Sequence, residues 1–110
     1  MLNRITATLR LTKDAELHYN NDGNPYLMIE TANNSSRKDK EGNYKLNFYI
    51  TVFYNRGNPE KLARHLTKGR LINIDGKLNM QKNETEERTY HNYRIFADEL
   101  ILADYKNNNN

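Results

Sequence analysis

From Arg4 to Leu11 the chain alternates without a break. Ile5, Ala7, Leu9 and Leu11 fall on one side, and Arg4, Thr6, Thr8 and Arg10 on the other. A period of two is the mark of a half-buried strand. It recurs further on, where Ile72, Ile74, Leu78 and Met80 oppose Leu71, Asn73, Asp75, Lys77 and Asn79. Gly76 interrupts that second segment, and a glycine inside a strand predicts a bulge or sharp bend, as at a barrel corner. Leu46 to Tyr54 is apolar or aromatic on both faces, with Phe48, Ile50, Val52 and Tyr54 on one and Tyr49, Thr51 and Phe53 on the other. Such a strand is either buried on both sides or has one face in the core and the other covered by a partner.

The punctuation between these runs sets their order. Asn20-Asn21-Asp22-Gly23-Asn24-Pro25 is a dense turn cluster, followed by a strand over about Tyr26 to Asn33. Asn34 to Asn43 reads as an exposed hairpin loop. One helix is predicted: Asn58 caps it, Pro59 suits its first position, Leu62, Ala63 and Leu66 form its apolar stripe, and Gly69 ends it after Lys68. Lys82 to Thr89 is a charged hairpin tip, and Tyr90 to Leu102 a long last strand. The result is an all-β chain of five strands with one helix between the third and fourth, the layout of an OB-type barrel. Barrels of that kind commonly bind oligonucleotides across their second and third strands and the adjoining loops. With 110 residues there is room for one domain. Residues 1–105 form it, and the Asn-rich stretch 106–110 is a disordered tail.

Lys and Arg number 17 against 14 Asp and Glu, a formal charge of +3. The excess suits a polyanionic partner, although net charge speaks to association and not to fold. There is no cysteine, which excludes disulfides, thiolate metal sites and cysteine nucleophiles. The opening residues do not resemble a signal peptide, and no apolar run approaches the ~20 residues of a membrane helix. A soluble, cytoplasmic protein is the expectation. Catalysis is poorly supported. His18, His65 and His91 lie in different elements without paired ligand spacing. Asp98 and Glu99 are neighbours on a strand and point to opposite faces. No phosphate loop, nucleophile motif or cofactor motif is present, so neither an enzyme nor a metal or cofactor is expected.

Four stretches together resemble the bacterial single-stranded DNA-binding protein family. Met1-Leu2-Asn3-Arg4-Ile5, followed by Leu11-Thr12-Lys13-Asp14-Ala15-Glu16-Leu17-His18-Tyr19, is similar to that family's first strand and its "L-T-x-D-P-E-L-R-Y" segment. Leu62-Ala63 through His65-Leu66-Thr67-Lys68-Gly69 resembles its helix ending "Y-L-x-K-G". Ile74-Asp75-Gly76-Lys77-Leu78 matches "V-E-G-x-L", and Ile95-Phe96-Ala97-Asp98-Glu99 resembles "V-V-A-E-S". The resemblance covers nearly the whole chain. It implies an OB barrel that binds single-stranded DNA without marked sequence preference in replication, recombination or transfer, and that assembles as a homo-oligomer. Residue by residue, it puts Phe48 and Tyr54 at base-stacking positions. Arg4, Arg56, Lys68 and Lys82, with Lys40 offset by about one residue, fall on backbone contacts. It places Tyr49 at a subunit contact.

Arg10 shares a strand face with Arg4, and Lys77 lies on the polar face of its strand, so both join the candidate DNA contacts. For each of these cations the alternative is a solvated surface charge. For Phe48 and Tyr54 it is core or subunit packing, and Phe53 and Phe96 are expected in the core. The chain departs from the family's pattern in having polar residues near Ser36 and at Asn83, where stacking aromatics are usual, and in having no tryptophan. The acidic partner-recruiting tip of many members does not follow Asn107 to Asn110, so either the sequence stops short of it or this is a divergent member without that recruiting function. These departures point to a plasmid, phage or other mobile-element lineage and to weaker, more salt-sensitive binding. They also leave open an OB-fold adaptor with weak nucleic-acid affinity.

Overall fold

A computed structural model describes residues 1–104, so the predicted 106–110 tail lies outside the described residues. Its elements are β1 (Ile5–Leu11), β2 (Glu16–Tyr19), β3 (Pro25–Lys38), β4 (Tyr44–Tyr54), α1 (Pro59–Ala63), β5 (Leu71–Glu84) and β6 (Thr89–Leu102). They form a six-stranded sheet ordered β1-β5-β6-β4-β3-β2. A short β1–β3 pairing, Arg10 opposite Ala32 and Leu11 opposite Thr31, closes the ring. Closure removes most of the open edge that a sheet of this size would otherwise carry.

The alternating residues fill the barrel as their period requires. Leu9, Leu27, Ile29, Val52, Leu66, Ile72 and Ile95 are fully buried, and Leu11 and Ile74 nearly so. Thr31 is buried among them because its hydroxyl donates to the Ile50 carbonyl at 2.7 Å, which satisfies it.

The expected five strands are present, with β2 as an additional short strand along the start of β3; counted this way the helix lies between β4 and β5. Asn58 caps α1 as read, its Oδ1 accepting from the Lys61 N–H at 3.1 Å with Pro59 in the first turn. The helix stops at Ala63 rather than running to Lys68, and the chain reaches Gly69 through turns that bury Leu66 under the barrel. The stretch read as a loop from Asn34 is strand as far as Lys38, because β3 and β4 continue past the barrel as a hairpin arm. β5 and β6 do the same, which is why Leu78 and Met80 keep their alternation yet lie exposed.

Gly76 is where β5 meets a bulge, with a register shift between Asp75 and Gly76. A Cβ there would lie 2.2 Å from the Phe96 carbonyl oxygen, so only glycine lets the two backbones approach so closely. Asp98 is left without a partner opposite, since Asp75 pairs with Glu99 and Gly76 with Ala97.

Candidate nucleic-acid interface

β3, β4 and β6 turn Leu27, Val52 and Ile95 inward, so the residues beside them along each strand face out. Tyr26, Phe53 and Phe96 are thereby set side by side on the outer wall of the barrel. The His18 ring stacks on Tyr26 at 5.5 Å between centroids with planes 25° apart. Tyr26 lies 6.2 Å from Phe53, and Phe53 lies 5.7 Å from Phe96. The row crosses four strands, β2, β3, β4 and β6. Its spacings are those of aromatic rings in mutual contact. Phe96 stays 41% exposed.

Arg94 sits at the end of this row, its guanidinium carbon 5.7 Å from the Phe53 centroid and 4.9 Å from that of Phe96. Its Nε donates to Asn79 Oδ1 at 3.0 Å and Nη1 to Gln81 Oε1 at 3.4 Å. Those bonds hold the planar cation in place and leave it charged. Lys77 pairs directly with Phe96 across β5 and β6 and is exposed beside that ring.

A cleft of about 760 Å³ opens along one side of the row, where Asn20, Asn24, Tyr54, Arg56 and Asp98 join Tyr26, Phe53 and Phe96 in lining it. The turn that forms its rim is held by Asn20, whose Oδ1 accepts from the backbone N–H groups of Asp22 and Asn24 at 2.9 and 3.0 Å. Gly23 supplies the φ of +82° that this turn needs. Arg56 reaches across the cleft to Asp98, with Nη2 3.3 Å from Oδ1. On the other side, where β4 and β6 part, a groove of about 520 Å³ is lined by Glu30, Tyr49, Gln81, His91, Tyr93 and Arg94, among others. Glu30 is held there by Thr51, whose hydroxyl lies 3.0 and 3.1 Å from the two carboxylate oxygens.

The flanks of the wall are charged. A hydrogen bond from Lys13 and its positive charge hold the Glu16 carboxyl below its ordinary range, with Glu16 Oε1 3.5 Å from His18 Nε2. Among the described residues no group of three His, Cys, Asp or Glu side chains is placed to hold a metal ion. Nor is any helix there long and apolar enough to cross a membrane.

The sequence-based site residues divide among several places. Tyr54, Arg56 and Lys77 adjoin the aromatic row. Tyr54 is also packed against the core. Phe48 is 38% exposed on the β3–β4 arm, and Lys40 is exposed in the turn of that arm. Lys82 lies on the β5–β6 arm, paired with Glu84 at 2.8 Å. Arg4 is ion-paired with Asp75 on the β1–β5 wall. Arg10 donates from Nη1 to the Gly69 carbonyl at 2.7 Å. Lys68 is exposed, and its backbone N–H is bound by Asp14 at 2.8 Å.

One expectation is corrected. Phe53 and Phe96 do not enter the core. Val52 and Ile95 occupy the inward positions beside them, and alternation sends both rings outward. These two rings, with Tyr26 and Arg94, are what the reading of the sequence missed. The signal was available in the parity of β4 and β6: once Val52 and Ile95 are taken as core, Phe53 and Phe96 must face out.

A barrel closed from strands of this order, with a helix between β4 and β5, defines an OB fold. The family model for the single-strand binding protein family matches residues 2–103, and the chain belongs to that family. It is 28% identical over 107 residues to a single-stranded DNA-binding protein of Oceanobacillus iheyensis, covering 96% of this chain and 66% of the relative. It is 32% identical over 100 residues to single-stranded DNA-binding protein A of Bacillus subtilis, covering 91% of this chain and 55% of the relative. The chain thus spans between about half and two thirds of the length of these curated relatives. The fold matches a small single-stranded DNA-binding protein from Streptomyces coelicolor with a TM-score of 0.74 at 18% identity, covering 94% of this chain and 96% of the other. It matches a Plasmodium falciparum SSB, solved in complex with ssDNA, with a TM-score of 0.74 at 22% identity and the same coverage.

Proposed function

We propose that this chain binds single-stranded DNA without marked sequence preference, laying exposed bases along the row of Tyr26, Phe53 and Phe96. The observation that carries this reading is the row itself: contiguous rings on the outer wall of an OB barrel, finished by a fixed guanidinium. A single strand offers π-faces and phosphates, and a sequence-tolerant binder needs matching rings and cations and little else. Arg94 faces the rings, and Lys77 stands beside Phe96 where a phosphate would follow a stacked base. Tyr54 and Arg56 extend the surface into the adjoining cleft. Family membership and the strand-binding relatives support the same reading. The work is binding and not catalysis, carried out by residues 1–105 in a homo-oligomer in the cytoplasm. It protects exposed strands during replication, recombination or transfer.

The test is fluorescence anisotropy of labelled oligo-dT over a series of salt concentrations, with a duplex control. Binding to the single strand alone, weakening with salt on a slope of about −0.7 per phosphate contact, is the expected result. No binding at low salt would overturn the proposal.

A further inference from the structure

We infer that the groove where β4 and β6 part reads one base of the bound strand and selects guanine there, with the Glu30 carboxylate as the reading group. This rests on the single-strand-binding reading above and adds to it a preference at one position, the rest of the strand staying unread. Glu30 pairs with Thr51 across β3 and β4, and Thr51 pairs with Arg94 across β4 and β6. Ile29, Val52 and Ile95 beside them take the inward positions, so Glu30, Thr51 and Arg94 form one line across the outer wall. All three line the groove of about 520 Å³. Phe53 lines it too, diagonal to Glu30 at the roughly 7–8 Å that separates such cross-strand neighbours. A base lying on the Phe53 ring therefore brings its edge to the carboxylate.

The state of the carboxylate carries the argument. Glu30 is half-buried and makes no ion pair among the described residues. The Thr51 hydroxyl lies 3.0 and 3.1 Å from its two oxygens. That hydroxyl has one proton to give, so it fixes the group while filling only one of its roughly four lone-pair sites. A held carboxylate with both oxygens still able to accept suits a ligand with two adjacent donors. Guanine is the base that has them. Its N1–H and N2 amino group stand side by side on the Watson–Crick edge, which a single strand leaves open to hydrogen bonding. Both bonds would be charge-assisted and parallel, the strong geometry for a carboxylate. Adenine and cytosine set one amino donor beside a ring-nitrogen acceptor, and thymine sets its one imino donor between two carbonyls. Each of those bases turns an acceptor toward the carboxylate.

Three strands of about 10 nucleotides, within the span of one OB face, separate the possibilities: oligo-dT, and the same strand with dG or deoxyinosine at one central position. Deoxyinosine keeps the ring and the N1–H of guanine and lacks its N2 amino group. In anisotropy titrations the full chain should bind the dG strand about fivefold or more tightly than the other two, the discrimination of one bidentate base contact. Glu30→Gln presents one oxygen and an amino group, and should bind the dG and deoxyinosine strands alike. Because that ratio is read within each protein, a change in stability or net charge does not move it. Equal affinity of the unaltered protein for dG and deoxyinosine, or a dG preference that survives in Glu30→Gln, overturns the guanine site. Failure of the unaltered protein to bind any of the three would instead overturn the single-strand reading on which it rests.

Discussion

The guanidinium of Arg94 lies 4.9 Å from the centre of the Phe96 ring, held there by Asn79 and Gln81. A fixed cation over an aromatic face can serve a phosphate without losing side-chain entropy on binding. Arg94→Ala should weaken oligo-dT binding and flatten the salt dependence by about 0.7 in slope, the share of one phosphate contact. Arg94→Lys should keep the slope and lose part of the affinity, because the planar stack is gone. A salt titration of both variants checks this, and an unchanged slope in Arg94→Ala would remove the residue from the phosphate path.

Phe53 and Phe96 touch at 5.7 Å and so should act as one platform. Each alanine variant should lose about 1–3 kcal/mol of strand binding, and the double variant less than the sum, because neighbours in contact are not additive. Phe53→Ala should also lower the melting temperature more than Phe96→Ala, since Phe53 is the more buried of the two. Anisotropy and thermal melts on the three variants decide it. Full affinity in folded Phe53→Ala would place the strand elsewhere.

What the sequence could and could not disclose follows from these residues. Alternation in β1 and β5, the Asn58-Pro59 cap and the Gly76 bulge were legible because each is a local pattern with a local cause. The extension of β3 to Lys38 was not, since Asn33 to Ser36 carry polar side chains that also suit a loop, and only pairing with β4 decides between them. The site was partly legible. Motif resemblance led to Tyr54 and Arg56, and the polar face of its strand to Lys77, all of which adjoin the row, but the resemblance also led to Arg4, which is ion-paired with Asp75 on another wall. Treating a phenylalanine as core by composition hid Phe53 and Phe96, although strand parity already pointed them outward.

Gly76→Ala should be costly. Its new methyl would meet the Phe96 carbonyl oxygen at 2.2 Å and the Ala97 Cα at 2.8 Å. Both are backbone atoms that cannot step aside without moving β6. A loss of about 1–3 kcal/mol, as for other overpacked sites, is expected in chemical denaturation. Because the displaced backbone carries Phe96, strand affinity should fall as well, even at temperatures where the variant is fully folded. A variant as stable as the parent would show that the bulge relaxes freely.

Burial pushes the Asp104 carboxyl up, but the Leu71 backbone and the charge of Arg70 outweigh it, and the group is held below its ordinary value of 3.8. Arg70 Nε donates to it at 3.0 Å, tying the end of β6 to the start of β5. A carboxyl lowered by folding stabilises the protein fully above its unfolded pKa, and that contribution is lost as pH falls through the lower folded value. Asp104→Asn should therefore cost less than about 1 kcal/mol near neutral pH, as befits a partly exposed pair. Parent and variant should converge in stability once pH falls well below the ordinary carboxylate range. Melting curves at neutral and acid pH test this; a gap that persists in acid would mean the contact is not ionic.

Glu30 is a place where the outer wall opposes its proposed ligand. Its carboxylate, fixed by the Thr51 hydroxyl, lines the same groove as Arg94 and repels a passing phosphate. Glu30→Gln keeps an oxygen to accept from Thr51 while removing the charge, so the fold should be unchanged. Strand affinity should then rise about two- to fivefold at low salt, a gain typical of one partly screened charge, and the difference should shrink as salt is added. Anisotropy with oligo-dT at low and high salt measures both. No gain at low salt would mean that the strand does not pass Glu30 and leaves the row before reaching the parting of β4 and β6.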